Sequence, residues 1–174
     1  GPYEGIRVLE LTSTVSGPFA GMMLADQGAE VIKVEPPGIG DLARFMGTIK
    51  DGMGAMFSTL NRNKKCICLD FKNEEDLNAL KELVSTADVL IENYRPGIVK
   101  KLGIDYESLA QINPDLIYCS ISGYGQSGPY KEKKVYDPLI QGTVGIPLAQ
   151  NNKSPELIRT IIYDKVTGLT SAQA

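Results

Sequence analysis

The sequence contains no histidine and no tryptophan, and only three of its 174 residues are cysteines. Without histidine, this stretch has no Ser-His-Asp triad, no Cys-His pair and no imidazole ligand for a metal. The cysteines include no CxxC spacing, which argues against a zinc site. Any chemistry in these residues must therefore use carboxylates, lysine, tyrosine, serine or backbone groups.

The sequence also lacks long apolar runs and a strong charge. No run approaches the roughly 20 residues that a membrane-spanning helix needs, and the first residues lack the pattern of a secretion signal. A net charge of −3 gives no basic surface for nucleic acid. We therefore expect a cytoplasmic protein without membrane or nucleic-acid partners. Its 43% hydrophobic and 22% charged residues are typical of one globular domain.

Short β-branched apolar runs alternate with helix-like segments along the chain. Strands are predicted at 6–11, 30–35, 64–71, 87–94 and 115–122. Helices are predicted over 16–28, 73–84, 95–104, 105–113 and 136–145, with a last one starting near 164. This alternation predicts an α/β fold with an open, mainly parallel sheet and helices on both faces.

Local signals assign structural roles to single residues. Gly28 stands where the first helix should stop. Cys66 and Cys68 are two apart in a strand, so they should share one face of the sheet, and we expect that face to be buried. Four residues of the types that favour helix N-caps stand at the starts of predicted helices: Ser16, Asn73, Asp105 and Asp164.

Ligands of open parallel sheets bind outside the carboxyl ends of the strands. The loops at those ends are rich in Gly, Pro and small polar residues, and they span 12–18, 36–54, 92–97 and 122–130. The first of them lacks the GxGxxG pattern of a dinucleotide site. The stretch SGYGQSGP within the last loop fits either a phosphate cradle or a surface turn.

Two further features each allow two interpretations. The lysines at 131, 133 and 134, and those at 100 and 101, form either anion-binding clusters or ordinary solvated faces. Asp164 follows the apolar run 161–163 and is either a helix N-cap or a reactive carboxylate at the floor of a cleft. The two roles of Asp164 are compatible, and local sequence alone favours the cap.

Taken together, these stretches resemble the family III CoA-transferases, the group of formyl-CoA transferase and the carnitine and bile-acid CoA-transferases. The matching segments are collinear over essentially residues 1–174: GIRVLELTSTVSGPFAGMMLADQGAEVIKVEPPG, NRNKKCICLDFK, ADVLIENYRPGIVKKLGIDYESL, NPDLIYCSISGYGQSGPY, KVYDPLIQG and DKVTGLTSAQA. The resemblance implies a Rossmann-like, CoA-binding amino-terminal part of a larger domain. It also implies an interlocked homodimer whose chains continue well beyond this stretch, which alone would lack catalysis.

The resemblance further implies a reaction and a set of site residues. Asp164 would be the nucleophile that moves CoA from an acyl-CoA donor to a carboxylic acid, through mixed anhydrides and an aspartyl-CoA thioester. No cofactor is implied, because CoA enters as a thioester substrate. The positions of the family's CoA contacts hold Thr14, Val15, Ser16, Leu69, Asn93, Tyr94, Ile98, Lys101, Leu102 and Lys134.

Some positions depart from the family pattern. Pro36 and Pro37 stand where some members have arginine, and Val15 replaces a glutamine of formyl-CoA transferase, so oxalate or formate specificity is not implied. The related α-methylacyl-CoA racemases carry histidine where this chain has Tyr136. Since tyrosine has an unperturbed pKa of about 10, we favour transferase over racemase. A non-catalytic nucleotide-binding or interaction module is the third hypothesis.

Overall fold

The computed structural model describes residues 1–151 and 153–174. Five strands form one parallel sheet: β1 (Arg7–Leu11), β2 (Glu30–Glu35), β5 (Lys64–Cys68), β6 (Val89–Glu92) and β7 (Ile117–Ser120). Their order across the sheet is β5-β2-β1-β6-β7. A separate antiparallel hairpin pairs β3 (Ile49–Lys50) with β4 (Met53–Gly54). All five predicted strands are confirmed, although β5, β6 and β7 are shorter than predicted.

Eight α-helices are described between and after these strands. They are α1 (Ser16–Asp26), α2 (Ala55–Leu60), α3 (Glu74–Val84), α4 (Ile98–Leu102), α5 (Tyr106–Leu109), α6 (Asp137–Thr143), α7 (Ile146–Gln150) and α8 (Ile162–Gln173). A 3₁₀ helix spans Leu42–Phe45 within the long loop after β2. The sequence analysis did not predict α2 and α7. None of the helices described is long and apolar enough to cross a membrane.

The sheet carries a packed layer of side chains on each face. Along β1, Leu9 packs into a cluster with Leu80 of α3, whereas its neighbour Val8 packs into a second cluster with Ala20 of α1. Because successive strand residues point to opposite faces, the two clusters lie on opposite sides of the sheet. The predicted arrangement of helices on both faces is therefore confirmed.

Three predicted N-caps and one predicted helix stop can be compared with the structure. The side chain of Asn73 accepts the N–H of Glu75 at 2.8 Å, and Asp105 caps α5 in the same way through Ser108. Ser16 is not a cap, because it is already the first residue of α1 and its side chain makes no capping bond. Gly28 follows α1 with a φ of 105°, as the predicted stop requires.

The expected burial of Cys66 and Cys68 is wrong, since both side chains are exposed. They lie on β5, which pairs only with β2 and forms one edge of the sheet. Ile67 between them packs against the cluster on the α3 side. The two cysteines therefore point to the opposite face, which remains open to solvent at this edge.

The strand order reverses direction at β1. The chain builds β2 and β5 on one side of β1, then crosses to build β6 and β7 on the other side. In such sheets the expected ligand site is the crevice between the loops that follow the two strands at the reversal, here β1 and β6. The Asn93 side chain joins these loops, because its Oδ1 accepts the Ser13 N–H at 3.0 Å and its Nδ2 donates to the Ser13 carbonyl at 2.9 Å.

Candidate functional site

A cleft of about 660 Å³ opens at the carboxyl ends of the strands. Residues 13–16 after β1, 93–96 after β6 and 121–123 after β7 form three of its walls, and Leu42 and Met46 of the long loop form another. The beginnings of α6 and α8 close it. All four loops that the sequence analysis placed at this edge therefore contribute to one cavity.

Asp164 lines this cleft from the first turn of α8. The helix already begins at Ile162, so the prediction that Asp164 is its N-cap is wrong. Its half-buried carboxylate accepts no hydrogen bond from the residues described. Burial raises the pKa of Asp164, and the neighbouring carboxylate of Asp137 raises that pKa further. The site thus holds an unshared carboxylate with limited access to water.

Asp137 of α6 provides the cap that Asp164 does not. Its Oδ1 accepts the N–H groups of Tyr163 and Asp164, the second at 3.1 Å, and its side chain is almost fully buried. Two of the N–H groups that a helix leaves unpaired at its first turn are satisfied in this way. A carboxylate there also interacts favourably with the helix dipole. The arrangement leaves the Asp164 side chain free to face the cleft.

Gln141, one turn after Asp137, fixes the approach to α8. Its Nε2 donates to Asp137 Oδ2 at 2.6 Å and to the Thr160 carbonyl at 3.1 Å, while its Oε1 accepts the Ile158 N–H at 2.8 Å. The side chain is 1% exposed, and both ends of its amide have partners. Gln141 therefore holds the segment 158–160 against α6. This segment immediately precedes the helix that carries Asp164.

The sequence analysis missed both Asp137 and Gln141. It predicted a helix over 136–145, and Asp137 followed by Pro138 looks like the first turn of that helix. The spacing of four places Asp137 and Gln141 on one face of α6. Neither signal shows that this face is buried against a segment more than twenty residues later.

Close packing sets the distance between α8 and α1. A side-chain carbon at Gly168 would lie 2.6 Å from the Ser16 carbonyl and 2.9 Å from the Phe19 ring. Only glycine allows this approach without a shift of one helix. The close contact brings the start of α8, and with it Asp164, to the same cleft as the turn 13–16.

The structure divides the predicted CoA-binding residues into three groups. Six of them line the cleft together with Asp164: Thr14, Val15, Ser16, Asn93, Tyr94 and Lys134. Leu69 and Leu102 line a smaller cavity of about 200 Å³, in which Tyr94 also takes part. Ile98 is half-buried and Lys101 is exposed, both on α4, and neither lines either cavity. Tyr94 thus connects the two cavities.

Four basic side chains line the cleft. Lys131, Lys133 and Lys134 all line it, as does Arg95. Lys133 also stacks on the ring of Tyr130, with its Nζ 3.7 Å from the ring centre. Their shared position favours the anion-binding interpretation of this cluster over a solvated face.

The glycine-rich stretch 122–129 serves mainly as a turn. Only Ser122 and Gly123 of this stretch line the cleft. Gly125 and Gly128 have φ angles of 81° and 88°, in the region that tight turns use. The phosphate-cradle interpretation therefore has little support beyond the first two residues.

Comparison of the sequence with known proteins identifies a family and several similar proteins. The model of CoA-transferase family III matches residues 3–174. The chain is 46% identical to acetyl-CoA:oxalate CoA-transferase of Acetobacter aceti over 86% of this chain and 38% of that protein. It is 43% identical to succinate–glutarate CoA-transferase of Agrobacterium fabrum over 99% of this chain and 46% of that protein.

The fold also matches a solved structure. The crystal structure of a CAIB/BAIF family protein from Brucella suis is 43% identical and superposes with a TM-score of 0.91, over 99% of this chain and 47% of the other. The chain thus spans less than half the length of the relatives named here.

Proposed function

We propose a function from one premise: the chain belongs to CoA-transferase family III. The proposed reaction moves CoA from an acyl-CoA to a carboxylic acid, with Asp164 as the nucleophile. One observation carries the assignment to this residue. Asp164 presents an unshared, half-buried carboxylate to the cleft, because Asp137 supplies the helix cap.

The reaction would proceed by covalent catalysis. A carboxylate oxygen of Asp164 attacks the thioester carbon of the donor, the C–S bond breaks, and a mixed anhydride and the CoA thiolate form. The thiolate then attacks the Asp164 carbonyl carbon, which releases the donor acid and leaves an aspartyl-CoA thioester. The acceptor carboxylate attacks the carbonyl carbon of that thioester, the C–S bond breaks, and a second mixed anhydride and the CoA thiolate form. Finally, the thiolate attacks the acceptor carbonyl carbon, which yields the new acyl-CoA and regenerates Asp164.

The surroundings of Asp164 suit a nucleophilic carboxylate. Burial raises its pKa, and a more basic carboxylate donates its electron pair more readily. The lysines at 131, 133 and 134 supply positive charge to the same cleft for the CoA phosphates. The smaller cavity beside Tyr94, lined by Leu69 and Leu102, offers an apolar surface for the adenine ring.

For the acceptor we propose a short dicarboxylic acid. The names of the relatives include oxalate, succinate and glutarate as substrates. Arg95 gives this cleft a group that can pair with a second carboxylate. A panel of these three acids and matched monocarboxylic acids would test this part separately from the nucleophile.

The test traps the covalent intermediate in the complete protein. Acetyl-CoA and succinyl-CoA are each added, hydroxylamine converts the activated carboxyl group to a hydroxamate, and mass spectrometry locates it. We expect the label on Asp164 and its loss in Asp164→Asn. Asp51→Asn is the matched control, because Asp51 is exposed and outside the cleft.

Two outcomes would contradict the proposed reaction. CoA binding without any label on Asp164 would favour a non-catalytic binding module. Loss of the α-deuterium from a labelled 2-methylacyl-CoA, without transfer of CoA, would favour the racemase alternative. We expect neither result.

A further inference from the structure

We propose that Asp41 is a positioning residue that holds Thr14 in the conformation with which it lines the cleft. The inference rests on the proposed function in one respect: the ligand that Thr14 would contact is CoA. The link between Asp41 and Thr14 rests on contacts that are independent of the ligand. It makes the long loop after β2 part of the binding apparatus.

Thr14 has a backbone conformation that threonine rarely adopts. Its φ is 71°, in the left-handed region that glycine prefers. A β-branched side chain there is strained and persists only where its surroundings hold it. The neighbouring Ser13 is fixed on one side by both of its bonds to Asn93. On the other side, the Thr14 N–H donates to Asp41 Oδ1 at 2.9 Å.

Asp41 is itself held rigidly. Its side chain is 1% exposed, and Oδ1 also accepts the N–H of Ala43 at 2.9 Å, which caps the 3₁₀ helix of the long loop. Its own N–H donates to Glu35 Oε2 at 2.8 Å, and Arg44 binds the same carboxylate through two nitrogens. The other oxygen, Oδ2, lies 2.9 Å from Lys33 Nζ. Each end of the carboxylate therefore has a defined partner.

Lys33 connects this carboxylate to the start of the same turn. It is fully buried in β2, and its Nζ lies 2.9 Å from Glu10 Oε1 and 2.8 Å from the carbonyl of Thr12. Lys33 Nζ donates hydrogen bonds to Glu10 and Thr12, whereas its contact with Asp41 Oδ2 is an ion pair. Lys33 thus contacts the turn directly at the Thr12 carbonyl and indirectly, through Asp41, at the Thr14 N–H.

The cost of burying these charges argues for a role beyond stability. Removing ions from water costs about as much as their attraction returns, so a buried ion pair contributes little net stability. What the cluster does fix is geometry. It joins β1, β2, the turn 12–15 and the loop 36–54 at the edge of the sheet that carries the cleft. We therefore assign Asp41 its function through Thr14 rather than through the core.

A double-mutant cycle on CoA affinity in the complete protein tests the inference. The dissociation constant for CoA is measured by calorimetry for wild type, Asp41→Asn, Thr14→Gly and the double variant. We expect Asp41→Asn to raise the dissociation constant about tenfold, because the left-handed conformation is costly for threonine once its holding charge is lost. In the Thr14→Gly background the same change should cost about threefold or less, since glycine adopts a positive φ freely.

One control variant and one substitute variant accompany the double-mutant cycle. Asp51→Asn lies in the same loop, is exposed and has a φ of 51°, which asparagine tolerates, so the CoA dissociation constant should not change. If Asp41→Asn fails to fold, Arg44→Gln is used instead. Arg44 is partly exposed and pairs with Glu35, which accepts the Asp41 N–H, so a rise of about threefold is expected.

A purely structural role would look different. A lower melting temperature with an unchanged CoA dissociation constant in Asp41→Asn, or in Arg44→Gln if that variant is needed, would overturn the inference. So would an Asp41→Asn effect of equal size in the threonine and glycine backgrounds. If the wild-type protein fails to bind CoA, the proposed function is wrong instead. Hydrogen exchange at the Thr14 amide then decides: slow exchange that Asp41→Asn accelerates supports the positioning role, and equal exchange refutes it.

Discussion

Replacing Asp137 by alanine removes the cap of the helix that carries the proposed nucleophile. The change leaves the N–H groups of Tyr163 and Asp164 without their acceptor. It also removes one of the partners of Gln141, which keeps its bonds to residues 158–160. The change also removes a carboxylate from the lining of the cleft, since Asp137 lines it together with Asp164. The perturbation is therefore local to the start of α8.

The expected size follows from the bonds that are lost. Removal of a capping side chain costs about 1 kcal/mol of stability, and hydrogen bonds to a buried charged group cost more. Because water can reach the half-buried first turn of α8, we expect about 2 kcal/mol in total. The effect on the reaction should be larger, because a displacement of about 1 Å at a reacting group can cost about 100-fold in rate.

The assay compares labelling with stability in the complete protein. The rate of hydroxamate formation on Asp164 is measured beside the melting temperature for Asp137→Ala and for a matched control, Asp105→Ala. Asp105 caps α5 through the N–H and hydroxyl of Ser108, and α5 lines neither cavity. The control should lower the melting temperature without slowing the labelling. A folded Asp137→Ala variant that labels as fast as the control would refute the positioning argument.

Two further substitutions have expected directions. Asp164→Asn should raise the melting temperature at neutral pH, because burial raises the folded-state pKa of Asp164 and its ionised form therefore destabilises the fold. This gain should shrink as the pH falls through the raised pKa and disappear below 3.8, where both states bind the proton; a gain independent of pH would contradict it. Gly168→Ala should destabilise the fold and slow Asp164 labelling, since its new carbon meets the Ser16 carbonyl. Gly142→Ala, with open space around it, should do neither.

The sequence predicted those features whose signals are local. Asn73 and Asp105 were assigned correctly because a cap acts within three residues of itself. The loops of the cleft were predicted because strand alternation fixes which ends of a parallel sheet meet. Asp164 was assigned wrongly as a cap because its competitor, Asp137, stands 27 positions earlier. Sequence rules for helix caps consider only residues within a few positions of the helix start, so they could not identify Asp137 as the cap of α8.

Long-range charge pairing was equally invisible. Lys33 in the run EVIKVE has the alternating position of an exposed strand lysine, yet the structure buries it completely between Glu10 and Asp41. Glu10 lies 23 residues earlier in β1, and Asp41 lies 8 residues later in the long loop after β2. The error over Cys66 and Cys68 has the same origin, because strand sequence does not reveal which strand forms the edge of the sheet.

Two aspartates that line the cleft, Asp137 and Asp164, and Asp41 beside it differ in what their carboxylates contact. Asp41 and Asp137 have their oxygens occupied by backbone N–H groups and by Lys33 or Gln141, and both are almost completely buried. Asp164 alone keeps its oxygens free and faces the cavity. A carboxylate whose oxygens accept hydrogen bonds from a helix or a turn is less available for attack than one whose oxygens are free. The helix and turn contacts fall to Asp137 and Asp41, which leaves the carboxylate of Asp164 free for the proposed reaction.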